Sequence, residues 1–216
     1  MFITFEGLDA SGKSSVLKKV GDYLKKKYPK IKLIITREPG GVNIKEAEEV
    51  REIVLSNKSN LSDWSEAILI SAARRIHLEK VIWPGLKENK LIISDRYIDS
   101  FYAYQGFGRE IGYQRLFDFS KFIIEDTMPT LTFYFDIGVD KCLERMSKTR
   151  KKLDRLDSLD RDFYFKVQKG YEFLINMDKE RFILIDATKS FNEVVRQIIK
   201  SLESNNKFLE YINGCL

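Results

Sequence analysis

The sequence contains few of the residue types that form covalent frameworks or metal centres. Histidine occurs once, at His77, and cysteine twice, at Cys142 and Cys215. The two cysteines have neither metal-ligand spacing nor the density of a disulfide framework, which favours a reducing, cytoplasmic location. His77 receives no functional assignment from the sequence.

Long hydrophobic runs are also missing, and the excess of positive charge is small. No apolar stretch is long enough to span a bilayer, and the N-terminus lacks the pattern of a secretory leader. The length of 216 residues and the hydrophobic fraction of 44% are typical of a single globular domain. The net charge of +5 suits a polyanionic partner, and nucleotides satisfy it as readily as nucleic acid does. We therefore expect neither a membrane nor a nucleic acid as a partner.

The N-terminal stretch has the spacing of a nucleotide phosphate-binding loop. It reads Phe-Ile-Thr-Phe-Glu-Gly-Leu-Asp-Ala-Ser-Gly-Lys-Ser-Ser from Phe2 to Ser15. Glycines let backbone N–H groups turn toward phosphate oxygens, and the first turn of the following helix adds unpaired donors. Lys13 is expected to attract the outer phosphates, and the Ser14 hydroxyl to complete the shell of a Mg²⁺ ion. The predicted ATP-binding residues are Gly7, Ser11, Gly12, Lys13, Ser14 and Ser15.

Strand-like and helical patterns alternate along the rest of the chain. Strands are predicted near 2–5, 31–36, 91–95, 131–136 and 181–186. Asp63 with Glu66 predicts the cap of an apolar, buried helix, and Ser190 with Glu193 that of the last helix. This alternation predicts an α/β fold of the P-loop NTPase type, with a five-stranded parallel sheet and helices on both faces. One domain is expected over 1–205, followed by a tail over 206–216 that shows no clear pattern.

Charged residues occupy or follow the predicted carboxyl ends of several strands, where parallel sheets bind ligands. They are Lys13, Arg37, Asp95, Arg96 and Asp136. Asp95 is predicted to hold Mg²⁺ through water, with a role as a helix cap as the alternative. Arg96 is predicted to clamp a second phosphate, although a solvated arginine would look the same in the sequence.

Two further basic features leave alternatives open. Arg74 lies on an apolar helix, where an unpaired charge is costly. It could form a structural ion pair or contact a base or phosphate, and its spacing does not decide between them. The basic segment 145–155 is either a solvated surface or a lid that supplies positive charge and excludes water.

Together the motifs resemble those of the thymidylate kinase family, from Phe2 to about Ser201. The matching segments are Phe-Glu-Gly-Leu-Asp-Ala-Ser-Gly-Lys-Ser-Ser at 5–15, Thr-Arg-Glu-Pro-Gly-Gly at 36–41, Ala-Ala-Arg at 72–74, Ser-Asp-Arg-Tyr at 94–97, Ala-Tyr-Gln-Gly at 103–106, Leu-Asp-Arg at 153–155 and Ile-Asp-Ala at 185–187. The resemblance implies transfer of the ATP γ-phosphoryl group to dTMP with Mg²⁺, giving dTDP and ADP for dTTP synthesis. It also implies a homodimer with its contact near residues 67–83.

The resemblance further implies roles for individual residues. Asp9 would orient the acceptor phosphate region or the metal. The implied metal-binding residues are thus Ser14, Asp95 and Asp9. The implied catalytic residues are Lys13, Arg96 and Asp9, together with the lid arginine described below. The implied substrate-binding residues are Arg37, Glu38, Pro39, Ile70, Arg74, Arg96, Tyr97, Phe101, Tyr104 and Gln105.

Within this substrate set, Arg37 and Arg96 would hold the dTMP phosphate, beside a wall shaped by Glu38 and Pro39. On the nucleoside side, Arg74 would hydrogen-bond the thymine edge, Tyr104 would crowd a 2′-hydroxyl, and Gln105 would lie near the base.

The loop and the base pocket each show a feature that bears on mechanism. The variable loop positions Asp9, Ala10 and Ser11 are not basic. The chain therefore resembles the bacterial members of the family that place the catalytic arginine in a mobile lid. The expected lid covers about 145–157. Arg150 best matches the catalytic arginine of the lid, and Arg145 and Arg155 are the alternative candidates. Arg155 with Asp154 could instead fix the lid, and Asp157 could face the substrate.

In the base pocket, Ile70 stands where the family usually has a phenylalanine that stacks on thymine. Phe101 occupies a position that is usually small or polar, and could compensate from the opposite wall. These departures keep open a kinase of another deoxynucleotide or deoxynucleoside. A nucleotide-switched ATPase that binds nucleic acid is disfavoured by the modest charge and the short basic runs.

Overall fold

A single parallel sheet organises the molecule. The computed structural model describes residues 1–149 and 160–215, and in these ranges five strands form the sheet. They are β1 (Phe2–Gly7), β2 (Leu33–Arg37), β3 (Leu91–Asp95), β4 (Leu131–Asp136) and β5 (Phe182–Asp186), arranged in the order β2-β3-β1-β4-β5. All residues of β1 are buried, and alternate residues face opposite sides, so both faces of the sheet centre are covered. The predicted α/β fold with five parallel strands is confirmed.

Helices connect the strands and cover the sheet. Those of the described residues are α1 (Lys13–Lys27), α2 (Lys45–Leu55), α3 (Asp63–His77), α4 (Trp83–Lys87), α5 (Ile98–Phe101), α6 (Tyr113–Ile124), α7 (Val139–Thr149), α8 (Arg161–Met177), α9 (Phe191–Glu203) and α10 (Asn206–Cys215). A π-helical segment (Leu78–Ile82) joins α3 to α4, and another (Tyr102–Gly108) follows α5. No helix in the described ranges is long and apolar enough to cross a bilayer.

The strand register brings three loops to one edge of the sheet. Asp95 at the end of β3 pairs with Phe5 of β1 and with Arg37 of β2. The chain leaves β1 toward β2 and leaves β3 toward β4, so the connections of these two neighbouring strands diverge. Divergent connections open a crevice at the carboxyl ends of the strands. The phosphate loop after β1 and the segment after β3 therefore flank the same crevice.

Two local predictions differ from the structure around α3. The helix is capped by Ser62, whose side chain accepts from the Ser65 N–H, so the predicted Asp63–Glu66 capping pair is wrong. Glu66 is fully buried and instead accepts hydrogen bonds from the side chains of Gln105 and Arg109. The helix is not buried all round either, since Ile68 is 51% exposed. The cap predicted at Ser190 and Glu193 is confirmed as a reciprocal capping box.

The C-terminal residues form a packed helix, although their sequence shows no clear period. Phe208 and Ile212 of α10 are buried. The Phe208 ring packs edge-on against Tyr28, with 6.1 Å between centroids, and the Tyr211 hydroxyl donates to the Asn89 carbonyl at 2.9 Å. A short helix with only two buried apolar residues gives no recognisable period in the sequence, so only its tertiary contacts reveal it.

Candidate active site

The phosphate loop depends on two glycines with positive φ. Gly7 has φ 136°, and a Cβ there would lie 2.7 Å from the Phe135 carbonyl oxygen of the neighbouring strand. Gly12 has φ 90° and directly precedes α1. Side chains other than glycine are strained at such φ values. The loop can therefore turn sharply from β1 into the N-terminus of α1.

Lys13 lies folded over this loop. Its Nζ donates to the carbonyls of Gly7 at 3.1 Å and Leu8 at 2.7 Å, and to the Ser11 hydroxyl at 3.1 Å. Burial and the neighbouring Arg96 cation lower the pKa of the Lys13 ammonium to about 8. The group still carries its charge at neutral pH, so it can attract a phosphate.

Ser14 and Asp95 form a pair of oxygen donors beside the loop. The Ser14 hydroxyl donates to Asp95 Oδ2, across 81 positions of sequence. The described residues contain no group of three His, Cys, Asp or Glu side chains that could hold a metal ion by themselves. Mg²⁺ prefers oxygen ligands and is usually held by one or two carboxylates together with phosphate oxygens and water. The hydroxyl–carboxylate pair therefore fits this ion.

Arg96 lies at the centre of a buried hydrogen-bond network. Its backbone has φ 69°, and its N–H donates to the Phe5 carbonyl at 2.9 Å. Nη2 donates to Asp9 Oδ1 at 3.0 Å and to the Tyr104 hydroxyl at 3.1 Å, while Nη1 donates to Ser100 at 2.9 Å. Burial raises the pKa of Tyr104 well above its usual range, so its hydroxyl stays protonated and donates to Asp9.

A buried carboxyl, that of Glu6 on β1, accepts hydrogen bonds from several members of this network. Its Oε1 accepts from the Tyr97 N–H at 2.7 Å, and its Oε2 accepts from the hydroxyls of Ser100 and Tyr171. Burial and the neighbouring Asp99 carboxylate raise the pKa of Glu6 to about 7. Glu6 was not among the site residues predicted from the sequence, although an acidic residue inside an apolar strand is a recognisable signal of a functional or buried polar position.

Arg37 and Arg51 line the part of the cleft beside α2. Arg37 pairs with Glu48, and its Nε is buried without a hydrogen-bond partner among the described residues. Arg51 donates to the Pro39 carbonyl at 2.8 Å. Arg51 was not among the site residues predicted from the sequence. Its signal is its position four residues after Ala47, on the apolar side of the helix.

Arg74 combines an ion pair with a free donor atom. Its Nε donates to Glu38 Oε2 at 2.7 Å, and both side chains are only 2% exposed. The guanidinium lies over the Phe101 ring at 4.9 Å. Nη1 is buried without a hydrogen-bond partner in the described part of the chain. The structural ion pair is therefore present, and the contact with a base stays a prediction.

These residues line one cleft of about 340 Å³. Those predicted from the sequence are Asp9, Ser11, Gly12, Lys13, Ser14, Ser15, Arg37, Glu38, Pro39, Ile70, Arg74, Asp95, Arg96, Tyr97, Phe101, Tyr104 and Gln105. Residues that line it without having been predicted include Arg51, Leu55 and Ser100. Gly7 lies below the loop, and its contribution is the turn described above.

The predicted lid falls largely outside the described residues. Arg150, Asp154, Arg155 and Asp157 all lie there, so their roles stay predictions. Arg145 lies on α7, and its Nη2 donates to the Ala187 carbonyl at 3.1 Å. Asp136, at the end of β4, is exposed and does not line the cleft.

The sequence model of the thymidylate kinase family matches residues 5–198. This chain belongs to the thymidylate kinase family. The thymidylate kinase of Mycoplasmopsis agalactiae is 46% identical over 211 residues, covering 98% of each chain. That of Staphylococcus haemolyticus is 41% identical over 196 residues, covering 91% of this chain and 94% of its own.

A solved member of the thymidylate kinase family has the same fold. The crystal structure of thymidylate kinase from Ehrlichia chaffeensis superposes with a TM-score of 0.77 and 32% sequence identity. The similarity covers 94% of this chain and 98% of that one. The P-loop kinase fold and the family membership inferred from the motifs are thus confirmed.

The pKa of Glu6 predicts a pH-dependent stability. The folded-state pKa of about 7 exceeds the ordinary value of 4.5, so the folded protein binds more protons between these pH values. Its free energy of unfolding should therefore fall as pH rises through this window. The Glu6→Gln variant has no titrating group at this position. Relative to this variant, we expect the free energy of unfolding of the wild type to fall by up to about 3 kcal/mol as pH rises through the window.

Urea denaturation at pH 4.5 and pH 8 measures this difference. Glu52→Gln, which removes an exposed carboxyl from α2, controls for the loss of one acidic group. A constant difference between wild type and Glu6→Gln across the window would contradict the assignment.

Proposed function

We propose that this chain transfers the γ-phosphoryl group of ATP to the phosphate of dTMP. A phosphate oxygen of dTMP bonds to the γ-phosphorus, the bond from that phosphorus to the β,γ-bridging oxygen breaks, and ADP leaves. The observation that carries the proposal is the cleft itself, in a member of the thymidylate kinase family. One cation, Lys13, belongs to a nucleotide phosphate loop. Two others, Arg37 and Arg96, lie at the ends of neighbouring strands.

On the donor side, the phosphate loop and Lys13 bind the ATP phosphates. The backbone of Gly7 to Gly12 presents the loop, and Ser11, Ser14 and Ser15 add hydroxyls near the start of α1. Ser14 and Asp95 would hold Mg²⁺, with Asp9 nearby. The ion would neutralise charge on the β- and γ-phosphates. Lys13 exchanges its carbonyl partners for phosphate oxygens, which are stronger acceptors for an ammonium.

On the acceptor side, Arg37 and Arg96 hold the dTMP phosphate. Both are suited to it because a guanidinium can donate two parallel hydrogen bonds to a phosphate. The Arg96 side chain is held in place by Asp9 and Ser100, so little conformational entropy is lost when it binds an anion. Arg51 extends the positive charge along α2 and is a further candidate phosphate ligand.

The base and sugar occupy the remaining walls. Arg74 donates from Nη1 to the thymine edge, and Gln105 lies beside it. Phe101 supplies an aromatic surface that compensates for Ile70, which takes the usual stacking position. Tyr104, with its hydroxyl fixed by Asp9 and Arg96, crowds the site of a 2′-hydroxyl and favours deoxynucleotides.

We also propose the domain boundaries of the chain and the cellular compartment of the reaction. Residues 1–205 form one nucleoside monophosphate kinase domain with a lid over about 145–157, and 206–216 form its C-terminal extension. No disulfide involves Cys142 or Cys215 in the described part of the chain, and this, together with the nucleotide substrates, favours the cytoplasm as the place of reaction.

A substrate panel tests the proposed reaction. With ATP and Mg²⁺, we expect phosphorylation of dTMP to exceed that of dUMP, dCMP and thymidine, and chelation of the metal to abolish it. Lys13→Ala is the control, because it removes the cation that binds the ATP phosphates. Phosphorylation of thymidine without phosphorylation of dTMP would contradict the proposal.

The lid assignment predicts a large kinetic effect at Arg150. If this arginine stabilises charge on the transferred phosphoryl group, Arg150→Ala should lower kcat roughly 10³-fold, as loss of an arginine finger does. Lys152→Ala is a matched control in the same basic segment and should retain most activity. An effect of Arg150→Ala on KM alone would show that it binds substrate without acting on the transition state.

An exposed apolar patch supports a homodimer. The ring of Phe119 lies 6.0 Å from those of Trp64 and Phe122, and Ile68 lies one helical turn from Trp64. Phe122 is 68% exposed and Ile68 51%. Patches of this kind mark protein interfaces. We propose that a second copy covers α3 and α6 here.

Light scattering on the Phe122→Glu variant tests the dimer. We expect the wild type to have the mass of two chains and the variant that of one. Phe191→Glu, at an exposed phenylalanine of α9, is the matched control and should stay dimeric. A monomeric wild type would refute the proposal.

A further inference from the structure

The only histidine of the chain lies behind the base-binding wall of the cleft. His77 is the last residue of α3 and is fully buried. Its Nε2 lies 2.7 Å from Thr36 Oγ1, and its Nδ1 lies 3.0 Å from Glu38 Oε1. A carboxylate only accepts hydrogen bonds, so Nδ1 carries a hydrogen and donates it to Glu38. The ring orientation is thus fixed at both nitrogens.

Glu38 connects this histidine to the cleft. One of its oxygens accepts from His77 and the other from Arg74 Nε at 2.7 Å. His77 and Arg74 lie three residues apart on α3, so they reach the same carboxylate from one face of the helix. The terminal torsion of a glutamate is otherwise broad. The two donors, on His77 and Arg74, together hold the Glu38 carboxylate at one value of its terminal torsion.

The same contacts decide where Arg74 points. Its Nη2 lies 3.4 Å from the Tyr97 carbonyl, and its guanidinium plane packs over Phe101. With Nε held by Glu38, Nη1 is left as a buried donor without a partner among the described residues. A buried donor of this kind carries a large cost unless a ligand pairs with it. The orientation of the donor therefore depends on the rotation of Glu38, and through it on His77.

We propose that His77 is a positioning residue for acceptor recognition, which holds Glu38 and through it aims Arg74 at the base of the acceptor nucleotide. The inference rests on the proposed function, because it assumes that dTMP occupies this cleft. It assigns His77 to binding of the acceptor and gives it no part in binding ATP or in the chemical step.

Two isosteric substitutions separate this role from simple core packing. The side-chain nitrogen of asparagine occupies the place of Nδ1, so His77→Asn keeps the donor to Glu38 and loses the contact with Thr36. The nitrogen of glutamine occupies the place of Nε2, so His77→Gln keeps the contact with Thr36 and loses the donor to Glu38. A packing role would be disturbed by both changes.

Steady-state kinetics and equilibrium binding provide the readout. We expect His77→Gln to raise the KM and the Kd for dTMP about 10-fold, with kcat and the KM for ATP near wild type. His77→Asn should stay within about 3-fold of wild type for dTMP. Affinity for 2-deoxyribose 5-phosphate, which lacks the base, should be the same in all three proteins.

Several results would overturn the inference. They are equal losses in the two variants, a loss in kcat or in ATP binding, or an equal loss of affinity for the baseless phosphate. If the wild type did not phosphorylate dTMP, the proposed function would fail first. If it did, and His77→Gln kept its KM, only the role of His77 would fail.

A measurement on the unmodified protein covers the case in which a variant does not fold. Because the chain has one histidine, ¹⁵N labelling of histidine gives a single imidazole spectrum. We expect a protonated Nδ1 whose resonance shifts on saturation with dTMP and stays in place with a non-hydrolysable ATP analogue. An unprotonated Nδ1, or a resonance that does not move with dTMP, would refute the assignment.

Discussion

Pairing of buried arginines with carboxylates is the interaction on which this cleft depends. Arg96 pairs with Asp9, and Arg74 pairs with Glu38. A buried guanidinium without a counter-charge is costly, so each of these two cations needs an acid beside it. The acids also fix the orientation of the arginine side chains. The arginines are thus held in place without a ligand, and under the proposed function less entropy would be lost when a nucleotide binds.

The parallel sheet supplies the framework for these pairs. Asp9 and Arg96 follow two neighbouring strands, and Glu38 follows a third. Because all strands run in one direction, their carboxyl ends share an edge, and residues far apart in sequence become neighbours. The positive φ values at Gly7 and Arg96 turn the chain sharply at that edge. The fold therefore determines which charges meet, and the local turns determine how closely they approach.

A second layer of buried polar groups lies beneath the residues that face the cleft. Glu6 orders the segment around Arg96, and His77 lies behind the pair formed by Glu38 and Arg74. Every member of such a network must find partners, because an unpaired polar group in the interior is costly. These residues do not themselves line the cleft. Under the proposed function, they act on a ligand only through the side chains that they hold.

The sequence by itself determined the nucleotide loop, the parallel α/β fold and the charged residues at the strand ends. Those features follow from local patterns: the spacing of Gly7, Gly12 and Lys13, the alternation of strands and helices, and charges at strand ends. Other lining residues, such as Ile70, Phe101, Tyr104 and Gln105, followed only from the resemblance to the thymidylate kinase family. Only the tertiary structure decided the partner of Arg74 and the places of Glu6 and His77. It also showed that Glu66 is a buried acceptor rather than a cap, and that the C-terminal residues form a helix. Hydrogen-bond partners are set by contacts across dozens of residues, and such contacts leave no period or spacing in the sequence.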